Sequence, residues 1–325
     1  MMDKNPFKHM RDMLVAKPVP KVDVKHKVMA AIRAKESKEE KVVKKKIGLL
    51  VTVGMLVGAS SVWAGVEMIQ LKNEKGEVVL KLKQMSMQEQ QQKMQQLPPD
   101  IKDQIKNRNA EIFKQLDTGE QIVNGLKPGE AVAIYWPLTK LQLESNPNST
   151  PFVDVRSKPF TYTTWKDMEQ KVGHLFKVPA EMGTDFKFVA GEAIYLPSDK
   201  YDEKAMKEEQ ERKKKEYVVQ PIPLSDKLRD AEIEYKGQKG SAFLEVSILG
   251  DNNKSGGTLA ENLEKVMIGD NEAVYSTFAP ENGDTVHSLD WVKNGTKVNY
   301  NLRAKMSVST EEELLKMAEQ INQAK

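Results

Sequence analysis

Catalysis needs side chains that move protons, attack electrophiles or hold metals, and this 325-residue chain offers few of them in working arrangements. With no cysteine, thiolate catalysis, thiolate metal sites and disulfide frameworks are excluded. Four histidines, His9, His26, His174 and His287, are scattered along the chain. Only His287, close to Asp284 and Ser288, has the residue types of a nucleophile triad beside it. Adjacent residues on a strand point to opposite faces, so His287 and Ser288 cannot converge on one site, and the expected reading is a surface histidine. Asp251-Asn252-Asn253 beside Gly256-Gly257 has the composition of a calcium loop. It lacks the alternating ligand register and the distal bidentate glutamate, so a flexible turn is expected. The carboxylates Glu311, Glu312 and Glu313 open a helix, where they suit the positive end of its dipole. No H-E-x-x-H, G-x-S-x-G or phosphate-loop spacing occurs. The expectation is a protein that is not an enzyme and uses no cofactor and no metal.

Charge and hydropathy place these residues. Residues 47–66, IGLLVTVGMLVGASSVWAGV, carry no charge in a chain that is 30% charged. Twenty helical residues span about 30 Å, the thickness of a bilayer's hydrocarbon core. Residues 1–46 hold 14 Lys or Arg against 6 Asp or Glu, a net of +8, and Lys44, Lys45 and Lys46 abut the apolar run. That excess predicts a cytoplasmic N-terminus and an extracytoplasmic remainder, with Trp63 at the outer interface. Val62 and Ala64 would also satisfy a signal-peptide cleavage site, but a basic segment of 46 residues is far longer than a signal peptide carries. Gly54 and Gly58 form G-x-x-x-G, a spacing that lets two membrane helices pack into a homodimer, although glycine is also common in such helices for no special reason.

In the basic tail, Val24, Val28 and Ile32 recur at helical spacing behind Pro18 and Pro20, with Asp23 as cap. One apolar stripe on a segment too short to fold alone suits a partner's groove or an anionic inner leaflet. The alternative is a tail that only sets topology. Nucleic acid is not expected, because no recognition motif accompanies the charge.

Beyond the apolar run, residues 67–130 read as a hairpin turning at residues 73–76, a glutamine-rich stretch, and a helix over residues 100–117 with Ile101, Ile105, Ile112 and Leu116 on one face. Residues 131–325 read as an extracytoplasmic α+β domain. Its expected elements are a strand AVAIYW, strands near Phe152 and Phe160, a helix capped by Thr164, and a short hairpin over residues 186–196. A solvated charged helical insertion follows at 199–216. Strands turning at residues 237–240, 269–271 and 294–295 come next, and a closing helix has a Ser309–Glu312 capping box. The fold class is thus an antiparallel sheet with helices on one side, behind a short helical tail and one transmembrane helix. Trp136, Trp165 and Trp291 are expected in the core or along a groove.

The stretch LDWVKNGTKVNYNLRAKMS, the closing helix STEEELLKMAEQI and the earlier WKDMEQKVGHLFKVPAEM together resemble the bacterial extracytoplasmic family known as domain of unknown function 4367. The likeness covers roughly residues 150–325 and rests on structural rather than catalytic motifs. It implies a Gram-positive cell-envelope protein on one membrane anchor behind a short cytoplasmic tail, in a family with several anti-sigma-factor-like members. The histidine and paired cysteines of zinc-type anti-sigma domains have no counterpart here. The resemblance makes a sigma factor or similar cytoplasmic regulator the expected partner of Val24, Val28 and Ile32. The competing expectation is an anchored envelope module that binds peptide, glycan or lipid without a cytoplasmic partner.

Overall fold

The computed structural model describes residues 68–85, 95–139, 150–250, 255–260, 262–280 and 283–324. The tail stripe, the apolar run with Gly54 and Gly58, Trp63 and Asp251 to Asn253 lie outside them. Among the described residues no helix is long and apolar enough to cross a membrane.

In chain order, the hairpin β1 (Met68–Lys72) and β2 (Val78–Met85) precedes helix α1 (Pro99–Asn124). Strands β3 (Ala131–Trp136), β4 (Phe152–Ser157) and β5 (Phe160–Tyr162) lead to α2 (Trp165–Val172). Next come β6 (Glu181–Met182), β7 (Phe186–Pro197), α3 (Glu203–Lys213), β8 (Val218–Ile222), β9 (Leu224–Lys236) and β10 (Ser241–Ile248). Strands β11 (Ser255–Leu259), β12 (Asn262–Ile268), β13 (Asn271–Phe278), β14 (Val286–Val292) and β15 (Val298–Lys305) then lead to α4 (Glu311–Gln323).

The largest sheet has nine strands in the order β12-β13-β14-β15-β10-β9-β7-β5, with β6 also on β7, and every pairing is antiparallel. Its strands alternate in the two-residue period of a half-buried sheet. On β15, Val298, Tyr300, Leu302 and Ala304 are buried while Asn299, Asn301 and Arg303 point the other way. The apolar rows of β9, β10, β13, β14 and β15 meet Leu314, Met317, Ala318 and Ile321 of α4, and Met168 and Val172 of α2 lie in the same core. Trp291 stacks on Tyr300 at 5.1 Å within it. Both helices thus cover one face, as the alternation requires.

A second sheet, β4-β3-β8, is buried on both sides of its central strand. Val132, Ile134 and Trp136 meet Ile122 of α1, Leu126 and Tyr217. Ala131, Ala133 and Tyr135 face the opposite way with Met206 of α3, Val218 and Ile222. The charged segment at 199–216 holds the expected solvated helix, α3, exposed or half-exposed except at Met206, whose one buried contact seats it on the small sheet. The third sheet is β1-β2-β11, with β11 parallel to β2. Leu71, Leu80 and Leu82 of the hairpin pack on Val274 and Val292, which project from the helix-free face of the large sheet.

Four local expectations need correction. Residues 186–197 form one strand, not a hairpin: a bulge at Val189 shifts the phase, and Gly191, Ala193 and Tyr195 resume the inward row that Phe186 begins. The C-terminal capping box uses Thr310 and Glu313, one residue later than expected, leaving Ser309 free to turn inward. Helix α1 runs seven residues past residue 117, carried by Ile122 onto β3. Gly256 and Gly257 stand in a strand, paired with Leu82 and Lys83.

Burial separates sites by their expected cost of truncation. Leu244→Ala, at a fully buried position, should lower the urea-unfolding free energy by about 3 kcal/mol. Phe152→Ala, at a position 57% exposed on edge strand β4, should change it by less than about 0.5 kcal/mol.

Candidate functional site

The pleat that buries one row of side chains lifts its neighbours onto the helix-free face. There the antiparallel register brings Val274, Asp290, Asn301, Glu245, Glu232 and Glu192 side by side across β13, β14, β15, β10, β9 and β7. Directly opposed side chains in such a row lie about 5 Å apart. Four of the six are carboxylates. Arg303, one step along β15, donates to Glu232 at 2.7 Å and lies 3.5 Å from Glu245. Arg229 holds Asp230 at 2.8 Å at the row's far margin.

Two arginines do not neutralise this face. Burial pushes Asp290 up to about 6, helped by the charge of Glu245, while a hydrogen bond with Asn301 and the charge of Arg303 pull the other way. Burial also raises Glu245, against the pull of Arg303 and with the push of Asp230 and Glu232. Asp230 is raised by burial despite Arg229. Carboxyl groups held above their ordinary range are common where a fold takes up protons or meets a ligand. Among the described residues no group of three or more His, Asp or Glu is arranged to hold a metal ion.

The opposite face carries a second polar set inside the core. His287 is completely buried, so the surface position expected for it is wrong. Its Nδ1 lies 3.3 Å from Tyr275 Oη and its Nε2 3.0 Å from Ser309 Oγ, with the Tyr275 ring edge-on at 5.9 Å. Ser288 points away and pairs with Ser276 at 2.7 Å, and Asp284 accepts from Ser307 at 2.7 Å. Among the described residues no carboxylate is hydrogen-bonded to the imidazole, and Ser309 is itself buried. Burial holds His287 down at about 4, so it is neutral at pH 7. The arrangement is a structural tie between β13, β14 and the start of α4.

The three tryptophans do not converge. Trp136 is buried under α1 in the small sheet, Trp291 is buried in the large core, and Trp165 is half-buried at the start of α2 with Nε1 donating to Val178 O at 3.1 Å. Core is thus the right half of the expectation for Trp136 and Trp291. The carboxylate row was missed because it exists only after five strands, β14, β15, β10, β9 and β7, are aligned. Its signal was the polar half of each alternation, in VHSLDWV, VNYNLRAK, SAFLEVSI, DAEIEYK and GEAIYL. Comparison with family models, with curated proteins and with solved structures finds no match to this chain.

His287 sets a pH dependence with a definite sign. Its folded pKa is lowered from 6.5 to about 4, so its contribution is complete above pH 6.5 and is lost as pH falls toward 4. Relative to His287→Gln, the wild type should lose about 2.5 kcal/mol between about pH 7.5 and about pH 4.5. Urea unfolding of both proteins at the two pH values measures the difference, in which the carboxylates common to both cancel.

Proposed function

We propose that this chain is a single-pass membrane regulator of the bacterial envelope, anti-sigma-factor-like, with a cytoplasmic partner-binding tail and an extracytoplasmic sensing domain. One observation carries the reading. The uncharged run at residues 47–66, guarded on one side by Lys44, Lys45 and Lys46, ends two residues before the first strand of an α+β domain. A bilayer span with the positive side inside puts that domain outside. In this reading the stripe of Val24, Val28 and Ile32 holds a sigma factor or another soluble regulator, and no reaction is catalysed. The resemblance of residues 150–325 to an extracytoplasmic family points the same way.

Two measurements test it. In intact protoplasts, external protease should remove a C-terminal tag and spare an N-terminal one, and the reverse pattern would sink the topology. With the full chain crosslinked in cells, a sigma factor or other cytoplasmic regulator should copurify with wild type and be at least about tenfold depleted with the Val24→Ser, Val28→Ser, Ile32→Ser variant. Envelope partners alone, unchanged by the triple substitution, would instead make the protein an anchored binding module for peptide, glycan or lipid.

A further inference from the structure

The hairpin β1–β2 holds to the large sheet through a small apolar contact. Leu71, Leu80 and Leu82 cover Val274 and Val292, with Ile69, Val79, Leu249 and Leu263 packed at the margin. A hydrogen bond from the Lys72 amide to Glu272 Oε2 at 2.6 Å supports it, and β2 also pairs with β11, which precedes β12 of the large sheet by two residues. Asp290 stands beside this contact. It is the direct cross-strand neighbour of Val274 and stands two residues before Val292 on the same face of β14. An ionisable side chain is therefore flanked along the row and along the strand by the two residues that the hairpin covers.

We propose that Asp290 is a proton-controlled latch between the hairpin β1–β2 and the large sheet: protonated, it lets the leucines stay seated on Val274 and Val292, and ionised, it loosens them. A charge beside apolar surface keeps its hydration only if that surface opens, so ionisation and seating oppose each other. The raised pKa of Asp290 is the same statement made by the folded form. This inference concerns the folded domain alone and does not depend on the function proposed above.

The surrounding charges fix the window. From β15, Asn301 and Arg303 face Asp290 and favour its ionised form, while Glu245 on β10 opposes it and is itself raised by burial, so it titrates with the same sign. Glu232 and Asp230 on β9 lie beyond Glu245 in the same field. On β13, burial pushes Glu272 up, but hydrogen bonds from Lys265 on β12 and from the Lys72 amide outweigh it and leave Glu272 below the usual range. Glu272 therefore stays ionised, and keeps its tie to the hairpin, to lower pH than an ordinary glutamate. Lys72 is exposed at the end of β1, and Lys81 lies between the two inward leucines of β2, on that strand's other side. His287 acts from the opposite face with the opposite sign, weakening the whole fold as pH falls.

Hydrogen exchange read by mass spectrometry on the full chain in detergent micelles, at about pH 5 and about pH 7.5 with exchange times scaled for the intrinsic chemical rate, tests the latch. Peptides covering residues 68–85 should be about tenfold better protected at the lower pH in wild type. Asp290→Asn should show the higher protection at both values, and peptides of β9 and β10 should not share the gain. Equal protection of residues 68–85 at the two pH values would overturn the proposal. So would a pH dependence that survives Asp290→Asn, or one that β9 and β10 follow equally, since that would be global stability rather than hairpin seating.

Discussion

The two-residue pleat of the nine-stranded sheet is the constraint on which the rest depends. Each side chain sent toward α2 and α4 sends its neighbour to the other side, so a strand cannot bury one row without presenting a second. On β10 the same backbone carries Leu244 into the core and Glu245 out of it. Antiparallel register then turns isolated outward residues into rows. The carboxylates on β14, β10, β9 and β7 are separated by as many as 98 positions in sequence and are neighbours only because their inward partners share a core. Fully seating Leu244, Leu289 and Leu302 contributes about 2 kcal/mol each from apolar burial. That gain offsets the cost of crowding like charges on the reverse face.

The smaller sheets solve the problem of the uncovered face differently. The central strand of the sheet β4-β3-β8 has no polar face, because α1 and α3 cover both sides of β3. This is why AVAIYW is continuously apolar rather than alternating. The sheet β1-β2-β11 instead borrows apolar residues from the large sheet's polar side. Val274 and Val292 break the outward polar pattern of β13 and β14, and the hairpin leucines sit on them. Outward valines among polar neighbours mark a place where another layer docks.

Legibility in the sequence followed the range of each interaction. The N-terminal hairpin, the strand AVAIYW, the Thr164 cap, the turn at Asn294-Gly295 and the closing helix are set by residues within a few positions of one another, and each lies where local pattern put it. Gly295 takes a φ of 73° in that turn, and Gly76 takes 77° in the first hairpin. What failed depended on distant partners. Residues 186–197 contain Ala190 and Gly191, which read locally as a break, yet β9 pairs with the strand on both sides of a bulge at Val189 and β5 pairs with Gly191 to Ala193. His287 has a polar setting in sequence, with Asp284 and Ser288 beside it. Its burial is decided by Tyr275, twelve residues earlier, and Ser309, twenty-two later. The role of α3 was hidden for the same reason, because one methionine among charged residues carries no periodic signal.

The buried His287 and the half-buried Asp290 divide the response of the large sheet to acid. His287, on the helix side, is stable only while neutral, and acid charges it. Asp290, on the reverse side, is costly while ionised, and acid neutralises it. A falling pH thus strains the junction of β13, β14 and α4 while relieving the face on which the hairpin rests. The two residues are three positions apart on β14 and point to opposite faces, so one strand carries both effects without either side chain touching the other. A fold selected for stability across the whole pH range would keep neither group, since an apolar side chain at the His287 site removes the cost in acid and an amide at the Asp290 site removes the cost above it. His287 is explained by the hydrogen bonds it makes with Tyr275 and Ser309. No comparable structural tie accounts for Asp290, whose side-chain bond to Asn301 an amide would preserve, so its carboxyl group is the feature of this sheet that packing alone does not explain.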